Sequence, residues 1–254
     1  MRLWPTPAQL LDDPELEDLY TYPARSDGSW VAVNFVTSID GAIEVDGRSA
    51  GLSTPGDRRV FELGHDLADV VLLGAGTAVA EDYPGLRPDG DTAARRRRHD
   101  LAPVPPLALV TSGASLPADA TSIVDVLEPS IVITGAHAPA DRRRGWEAAG
   151  ARVLVAGDDE VDLADALGQM ADLGLRRVDC EGGPGLVASL LARDLVDEIR
   201  LSVAPVAVAG RSGRMATSAE ALRPTPGFEV ASLLVDDGTL LVRYLRVLNG
   251  SSPR

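Results

Sequence analysis

The chain has 254 residues, of which 45% are hydrophobic and only 4% aromatic, and its formal net charge is −14. That composition excludes a disordered chain and supports a core of Val, Leu, Ile and Ala in one large α/β domain or two small ones. The acidic balance repels phosphate backbones and argues against nucleic acid as a partner. No apolar run reaches the ~20 residues that span a bilayer, so a soluble, cytoplasmic protein with no membrane partner is expected.

Residues 1–28 read as a polar N-terminal extension, with Pro5, Pro7, Pro14 and Pro23. The early prolines interrupt any leader-like apolar stretch, so no signal peptide is expected. Leu11 to Tyr20 can form a short helix, and Ser26-Asp27-Gly28 marks a turn. Trp30 to Thr37 (WVAVNFVT) is a strand. Pro55 to Leu67 carries Val60, Leu63 and Leu67 at helical spacing, with a proline suited to its first turn. Val70 to Leu73 is the next strand. Leu86 to Pro106 shows no apolar period and is expected to be a long mobile loop. The basic runs Arg95–Arg98 and Arg142–Arg144 are expected on solvated faces rather than on a phosphate, and His99 and His137 at the surface.

Four further apolar runs follow: Leu107 to Thr111, Ile131 to Thr134, Arg152 to Val155 and Arg177 to Cys180. Helical patterns lie at Asp162–Leu173, capped by Asp162, and at Pro184–Arg193. Strand–helix alternation implies crossovers and a mainly parallel central sheet flanked by helices. The last quarter differs. Glu198–Val208 and Val230–Val247 contain strands, and Asp236-Asp237-Gly238 reads as a hairpin turn, so antiparallel strands are expected there. Without a linker or repeat, residues 1–248 read as one domain and 249–254 as a flexible tail. The single cysteine, Cys180, reads as a small buried hydrophobe in a reducing compartment.

Two strands end in glycines. VVLLGAGT places Gly74 and Gly76 after the second strand, and VDCEGGPGL places Gly182, Gly183 and Gly185 before a helix. Glycines let a backbone approach a ligand, and free amides at a helix start suit phosphate, so the pair suggests a dinucleotide. The fingerprint G-x-G-x-x-G is incomplete, because Val79 stands at its third glycine. There is no G-x-S-x-G elbow, no lysine for a Walker loop, and no metal-ligand spacing among His65, His99, His137 and Cys180; no metal is expected.

Three segments in order, NFVTSIDG (Asn34–Gly41), GAGTAVAEDYPGL (Gly74–Leu86) and EGGPGLVASLLARDLVD (Glu181–Asp197), resemble the pyrimidine reductase half of bifunctional riboflavin-pathway enzymes and their stand-alone relatives. The resemblance covers residues 30–247 and implies a dihydrofolate reductase-like fold, NADPH as hydride donor and a homodimer. It implies that Thr77 and Glu81 lie near the cofactor, and that Gly182, Gly183 and Leu186 hold its pyrophosphate. Ser112, after the strand LALVT, is a cofactor candidate by position. Glu181 and Ser49 match positions lining a pyrimidine-ribose pocket. His65 stands where relatives carry an arginine for the substrate phosphate, with Arg58, Arg59 and Arg87 as candidates to compensate. Asp40 and Glu181 are the candidate proton-handling carboxylates. The zinc deaminase motifs of the bifunctional enzymes do not occur. Three functions remain open at this level: reduction of a riboflavin-pathway ribosylamino-pyrimidine 5′-phosphate, reduction of dihydrofolate or another pterin, or nucleotide binding without turnover.

Overall fold

A computed structural model describes residues 2–4, 10–23 and 28–247. The strands are β1 (Arg2–Trp4), β2 (Trp30–Ser38), β3 (Val70–Gly74), β4 (Leu107–Val110), β5 (Ile131–Thr134), β6 (Arg152–Val155), β7 (Arg177–Cys180), β8 (Glu198–Ala204), β9 (Phe228–Asp236) and β10 (Thr239–Arg246). They form one sheet in the order β1-β9-β10-β8-β2-β7-β3-β4-β5-β6. From β8 to β6 every neighbouring pair is parallel, while β10 joins β8 and β9 antiparallel through the hairpin at Asp237-Gly238. The strand β1 pairs with β9, so the N-terminal extension contributes an edge strand that its polar composition does not announce. The turn residues Ser26 and Asp27 and the tail 249–254 lie outside the described residues.

The helices are α1 (Asp13–Tyr20), α2 (Pro55–Leu67), α3 (Ala75–Ala80), α4 (Gly90–Arg98), α5 (Thr121–Val124), α6 (Ala140–Ala148), α7 (Leu163–Asp172) and α8 (Pro184–Ala192). Local chemistry sets their starts. Asp12 and Glu15 form a reciprocal capping box on α1, Thr54 accepts from the Asp57 amide ahead of α2, and Asp162 accepts from Ala164 and Asp165 on α7; each such cap contributes about 1 kcal/mol. The apolar positions then choose the faces. The helices α7 and α8 bury Met170, Val187 and Leu190 with Val31, Val33, Leu72 and Ile133 on one side of the sheet. On the other side α1 and α2 pack Tyr20, Val60, Leu63 and Leu67 against Trp30 and Ala32, and α6 drives Trp146 onto Leu107 and Leu109. Truncating such a buried leucine to alanine costs about 2–5 kcal/mol.

Several expectations need correction. The stretch 86–106 is not a structureless loop, because it contains α4, whose first amides are capped by the Asp89 carboxylate. Nor is Arg95–Arg98 wholly a solvated face, although Arg97 and Arg98 are exposed. Arg96 is 1% exposed and donates to the carbonyls of His65 at 2.8 Å, Ala68 at 2.9 Å and Ala102 at 2.6 Å. The last carbonyls of a helix lack partners within it, and a guanidinium fork fits that end of α2. Arg95, Arg98 and His99 converge on the part-buried Glu17, so His99 is partly buried too. No apolar period marks α4 because an arginine fills its buried position. Finally, the apolar segment Leu201–Ala204 is an interior part of the sheet, since β8 lies between β2 and β10, and offers no free edge.

Candidate active site

A cavity of about 610 Å³ opens beside the carboxyl ends of β2, β3 and β7, walled by α2 and α3. Ligands in open α/β sheets bind at this edge, where successive strands diverge into their helices. The β3–α3 and β7–α8 turns meet there. The Gly74 amide donates to the Gly182 carbonyl at 2.6 Å, and a Cβ on Gly183 would fall 2.2 Å from the Thr77 hydroxyl. Gly183 is therefore required by the close approach of α3. Gly182 has φ +92°, and a side chain there would meet the Phe35 ring at 2.9 Å. Gly183 is the N-cap of α8 and supplies no side-chain cap. This leaves the first amides of a nine-residue helix open to an anion.

At the inner end of the cavity, Glu181 holds a three-part contact. Its side chain is 3% exposed and that of His65 13%. The imidazole Nε2 of His65 contacts Glu181 Oε1, and the Tyr83 hydroxyl donates to Glu181 Oε2 at 2.7 Å. Tyr83 Oη also lies 3.3 Å from His65 Nε2. Burial pushes the His65 pKa down, but the charge and hydrogen bond of Glu181 outweigh it and raise it to about 9. Burial likewise lifts Tyr83 well above the usual phenol range. Behind them Asp179, fully buried, has both oxygens without a hydrogen-bond partner among the described residues. Burial, with the Glu181 charge adding to it, raises its pKa to about 7.

A protein-family model described as the RibD C-terminal domain matches residues 29–241. The chain belongs to the RibD C-terminal domain family. Among relatives, a 2,5-diamino-6-ribosylamino-4(3H)-pyrimidinone 5′-phosphate reductase of Methanothermobacter thermautotrophicus is 32% identical over 76% of this chain and 85% of its own length. The protein of the same description from Archaeoglobus fulgidus is 30% identical over 72% and 83%. A solved pyrimidine reductase-like protein from Corynebacterium diphtheriae shares the fold with a TM-score of 0.72 at 21% identity, covering 87% of this chain and 92% of that one. The central parallel sheet with antiparallel C-terminal strands is the architecture that the segments NFVTSIDG, GAGTAVAEDYPGL and EGGPGLVASLLARDLVD imply.

Within this RibD C-terminal domain, the cavity gathers Ser49, His65, Gly76, Thr77, Glu81, Glu181 and Gly183. Gly74 and Gly182 stand one step behind it as the hydrogen-bonded floor of the two turns. Gly185 is exposed on α8, and Leu186 packs into the core beneath it. Ser112 is exposed after β4 and does not line the cavity. Asp40 is also outside. Its carboxylate accepts from Ser38 Oγ and from the amides of Val208 at 3.2 Å and Ala209 at 2.7 Å, which lower its pKa to about 2. Such an acid holds a turn in place and has little tendency to carry a proton near neutrality. Arg59 and Arg87 pair with Asp13 and Asp125 away from the cavity, which leaves Arg58 as its one arginine among the described residues, beside Glu44, Asp57, Glu62, Glu81 and Glu181. Sequence reading missed Tyr83 and Asp179. Tyr83 lies inside a family-like segment but has no motif of its own. Asp179 is an acid inside an apolar strand, which was the available signal.

Proposed function

We propose that this chain is an NADPH-dependent reductase acting on a riboflavin-pathway ribosylamino-pyrimidine 5′-phosphate, either the 2,5-diamino-6-ribosylamino-4(3H)-pyrimidinone or 5-amino-6-(5-phosphoribosylamino)uracil, and that residues 1–248 form its single reductase domain. The observation that carries the reading is Glu181, held by His65 and Tyr83 at the end of β7 and directly beside the open start of α8. The family membership and the names of the two archaeal relatives support it.

The residues fit a dinucleotide. Gly183, Gly182 and Gly185 leave the start of α8 unobstructed, Gly76 has open space around it, and Gly76, Thr77 and Glu81 line the wall between α8 and α2. When bound, the reduced nicotinamide supplies a hydride. Glu181 accepts the N–H groups of the substrate ring and fixes the ring's orientation. His65, charged through its pair with Glu181, faces the cavity as a proton source for the atom that gains electrons. Ser49 and Arg58 at the mouth are placed to meet the ribose phosphate. Exposed Val230, Leu240 and Val206 near the C-terminal strands support a two-fold homodimer through that face.

A second reading has its own observation. Five carboxylates and one arginine line the cavity, a balance that disfavours a phosphorylated substrate and suits the amino-amidine edge of a pterin. An assay of NADPH oxidation with the pyrimidine phosphates and with dihydrofolate decides between them. Turnover on a pyrimidine phosphate is expected; turnover on dihydrofolate alone selects the second reading. Stoichiometric NADPH binding without oxidation on either would mark a nucleotide-binding module.

A further inference from the structure

Beneath the cavity, one face of the sheet carries a row of polar side chains that α2 covers. Asp179 on β7 and Glu198 on β8 are the two neighbours of Ala32 on β2, and Asn34 on β2 is registered with Arg200 on β8. The helix α2 crosses this row at Gly64. A Cβ there would fall 2.5 Å from Asp179 Oδ2 and 2.8 Å from Asn34 Nδ2, so only a glycine lets the helix lie on the acid. The next residue of α2 is His65. One oxygen of Asp179, one of Glu181 and a ring nitrogen of His65 lie within 4.8 Å of one another.

The acids of this row are treated unequally. Glu181 receives His65 and Tyr83, and Glu198 receives Arg200 and Arg243. Asp179 receives no hydrogen bond among the described residues although it is fully out of water, and the Asn34 amide next to it is also unpartnered. An ionised carboxylate in that position would forfeit its solvation with nothing in return. Among the described residues, the groups that face it are Glu181 on its own strand, His65 from α2, Asn34 from β2, and Arg200 and Glu198 from β8, with Tyr83 and Tyr22 at the margins. Arg200 gives Nε to Glu198 and Nη2 to the Tyr20 carbonyl, while its Nη1 has no partner among the described residues and its charge partly offsets the rise at Asp179. With His65 and Glu181 as an ion pair, the buried trio is electrically neutral only when Asp179 carries a proton.

We propose that Asp179 is a positioning residue that stores the proton for reduction, replenishing His65 after His65 has protonated the substrate. This rests on the reductase reading. Reduction of a C=N or ring-opened sugar carbon places a hydride, with its electron pair, on carbon. The π pair moves to the heteroatom, which takes the proton of the His65 imidazolium. The neutral imidazole takes the Asp179 proton through a water bridging their atoms, which lie within 4.8 Å of one another, and the trio is left with one extra negative charge until a proton from solvent restores it after product release. A bound reduced nicotinamide would supply the electron pair as hydride, and this chain's own residues supply the one proton consumed per turnover.

Asp179→Asn tests this, because an amide copies the protonated acid in shape but cannot release its proton. Infrared difference spectra of the ligand-free protein should show a protonated carboxyl band that titrates near neutral pH and is missing in Asp179→Asn. The variant should stay folded, bind NADPH as the wild type does, lose about tenfold in kcat, and lose the limb of the kcat profile that falls near pH 7. Asp179→Glu should restore part of that limb. A wild-type profile in a folded Asp179→Asn protein, or absence of the titrating band, would overturn the proposal. So would a stoichiometric divalent metal in the purified protein, since a cation would neutralise the trio without a proton. If the wild type itself fails to oxidise NADPH with any substrate offered, the reductase reading fails, and the infrared band still reports on Asp179.

Discussion

The two buried charge clusters on the α2 face of the sheet are separated by a single strand, yet they are built on opposite terms. Around Glu198, fully buried, every acceptor position is answered: Arg200 Nε at 2.8 Å, Arg243 Nε at 2.7 Å and the Trp30 indole at 3.1 Å. Arg200 lies over the rings of Tyr20 and Tyr22. Burial would raise the Glu198 pKa, but the two arginines outweigh it and hold it below the usual carboxylate range. Around Asp179 nothing answers, and its pKa rises. A buried charge that is paired and hydrogen-bonded costs little to keep, whereas an unpaired one changes its protonation instead. The first cluster locks β8, β10 and β2 together. The second holds groups that can exchange protons at the edge of a cavity, and the difference between them is one of partners rather than of depth.

The comparison can be broken most forcefully at the satisfied cluster. Arg200→Met leaves Glu198 with a single arginine and should cost about 3 kcal/mol of stability, seen as a lower denaturation midpoint at neutral pH, while the cavity's ligand affinity per folded molecule is kept. At the other cluster, Glu181→Gln should leave the fold intact but lower kcat/KM roughly a hundredfold, because the pair that charges His65 is gone; NADPH affinity measured by titration should not move. Gly183→Val should weaken NADPH binding at least about tenfold, or about 1.4 kcal/mol. Since its Cβ would press on the Thr77 hydroxyl, Thr77→Ala in the same chain should recover folding but not affinity if the backbone of Gly183 lies against the cofactor.

A pH titration sharpens the contrast further. His65 has its pKa raised in the folded state, so the stability it contributes is complete below about 6.5 and lost as pH rises through about 9. Thermal midpoints of the wild type and His65→Gln should therefore converge by a few degrees between about pH 7 and pH 9. Asp179 has a raised acid pKa, which makes the protein less stable as pH rises from about 4 to about 7; Asp179→Asn should remove that slope, and Glu198→Gln should not. The smallest effect is expected at Asp40. Its carboxylate serves the Val208 and Ala209 amides outside the cavity, so Asp40→Asn should keep near-wild-type kcat per folded molecule, and a lost limb of the pH profile would restore it as a proton donor.

Much of the fold was legible in the residues. The helix α2 spans Pro55–Leu67 as its proline and apolar spacing require, the strands β5, β6 and β7 coincide with their apolar runs, and the Asp237-Gly238 hairpin lies where its turn residues stand. The helix α4 was not legible, because its buried face is an arginine whose partners are the carbonyls of a helix some thirty residues earlier. In the site, Glu181, Gly183, Thr77 and Ser49 follow from motif positions, and the structure brings them to one cavity. Asp40 and Ser112 end strands as Glu181 does, but a strand end fixes only the edge of the sheet, not which side of it the side chain serves.

By itself, the sequence determined the alternation of strands and helices, the two glycine turns and the family, because periodicity, caps and turn chemistry act within a few residues of chain. Only the tertiary structure decided which charges meet. His65 and Glu181 are 116 positions apart, and whether an acid beneath them is paired or left to hold a proton depends on strand register and on a helix lying close enough to bury it. Gly64 provides that closeness, and nothing local to Gly64 records it.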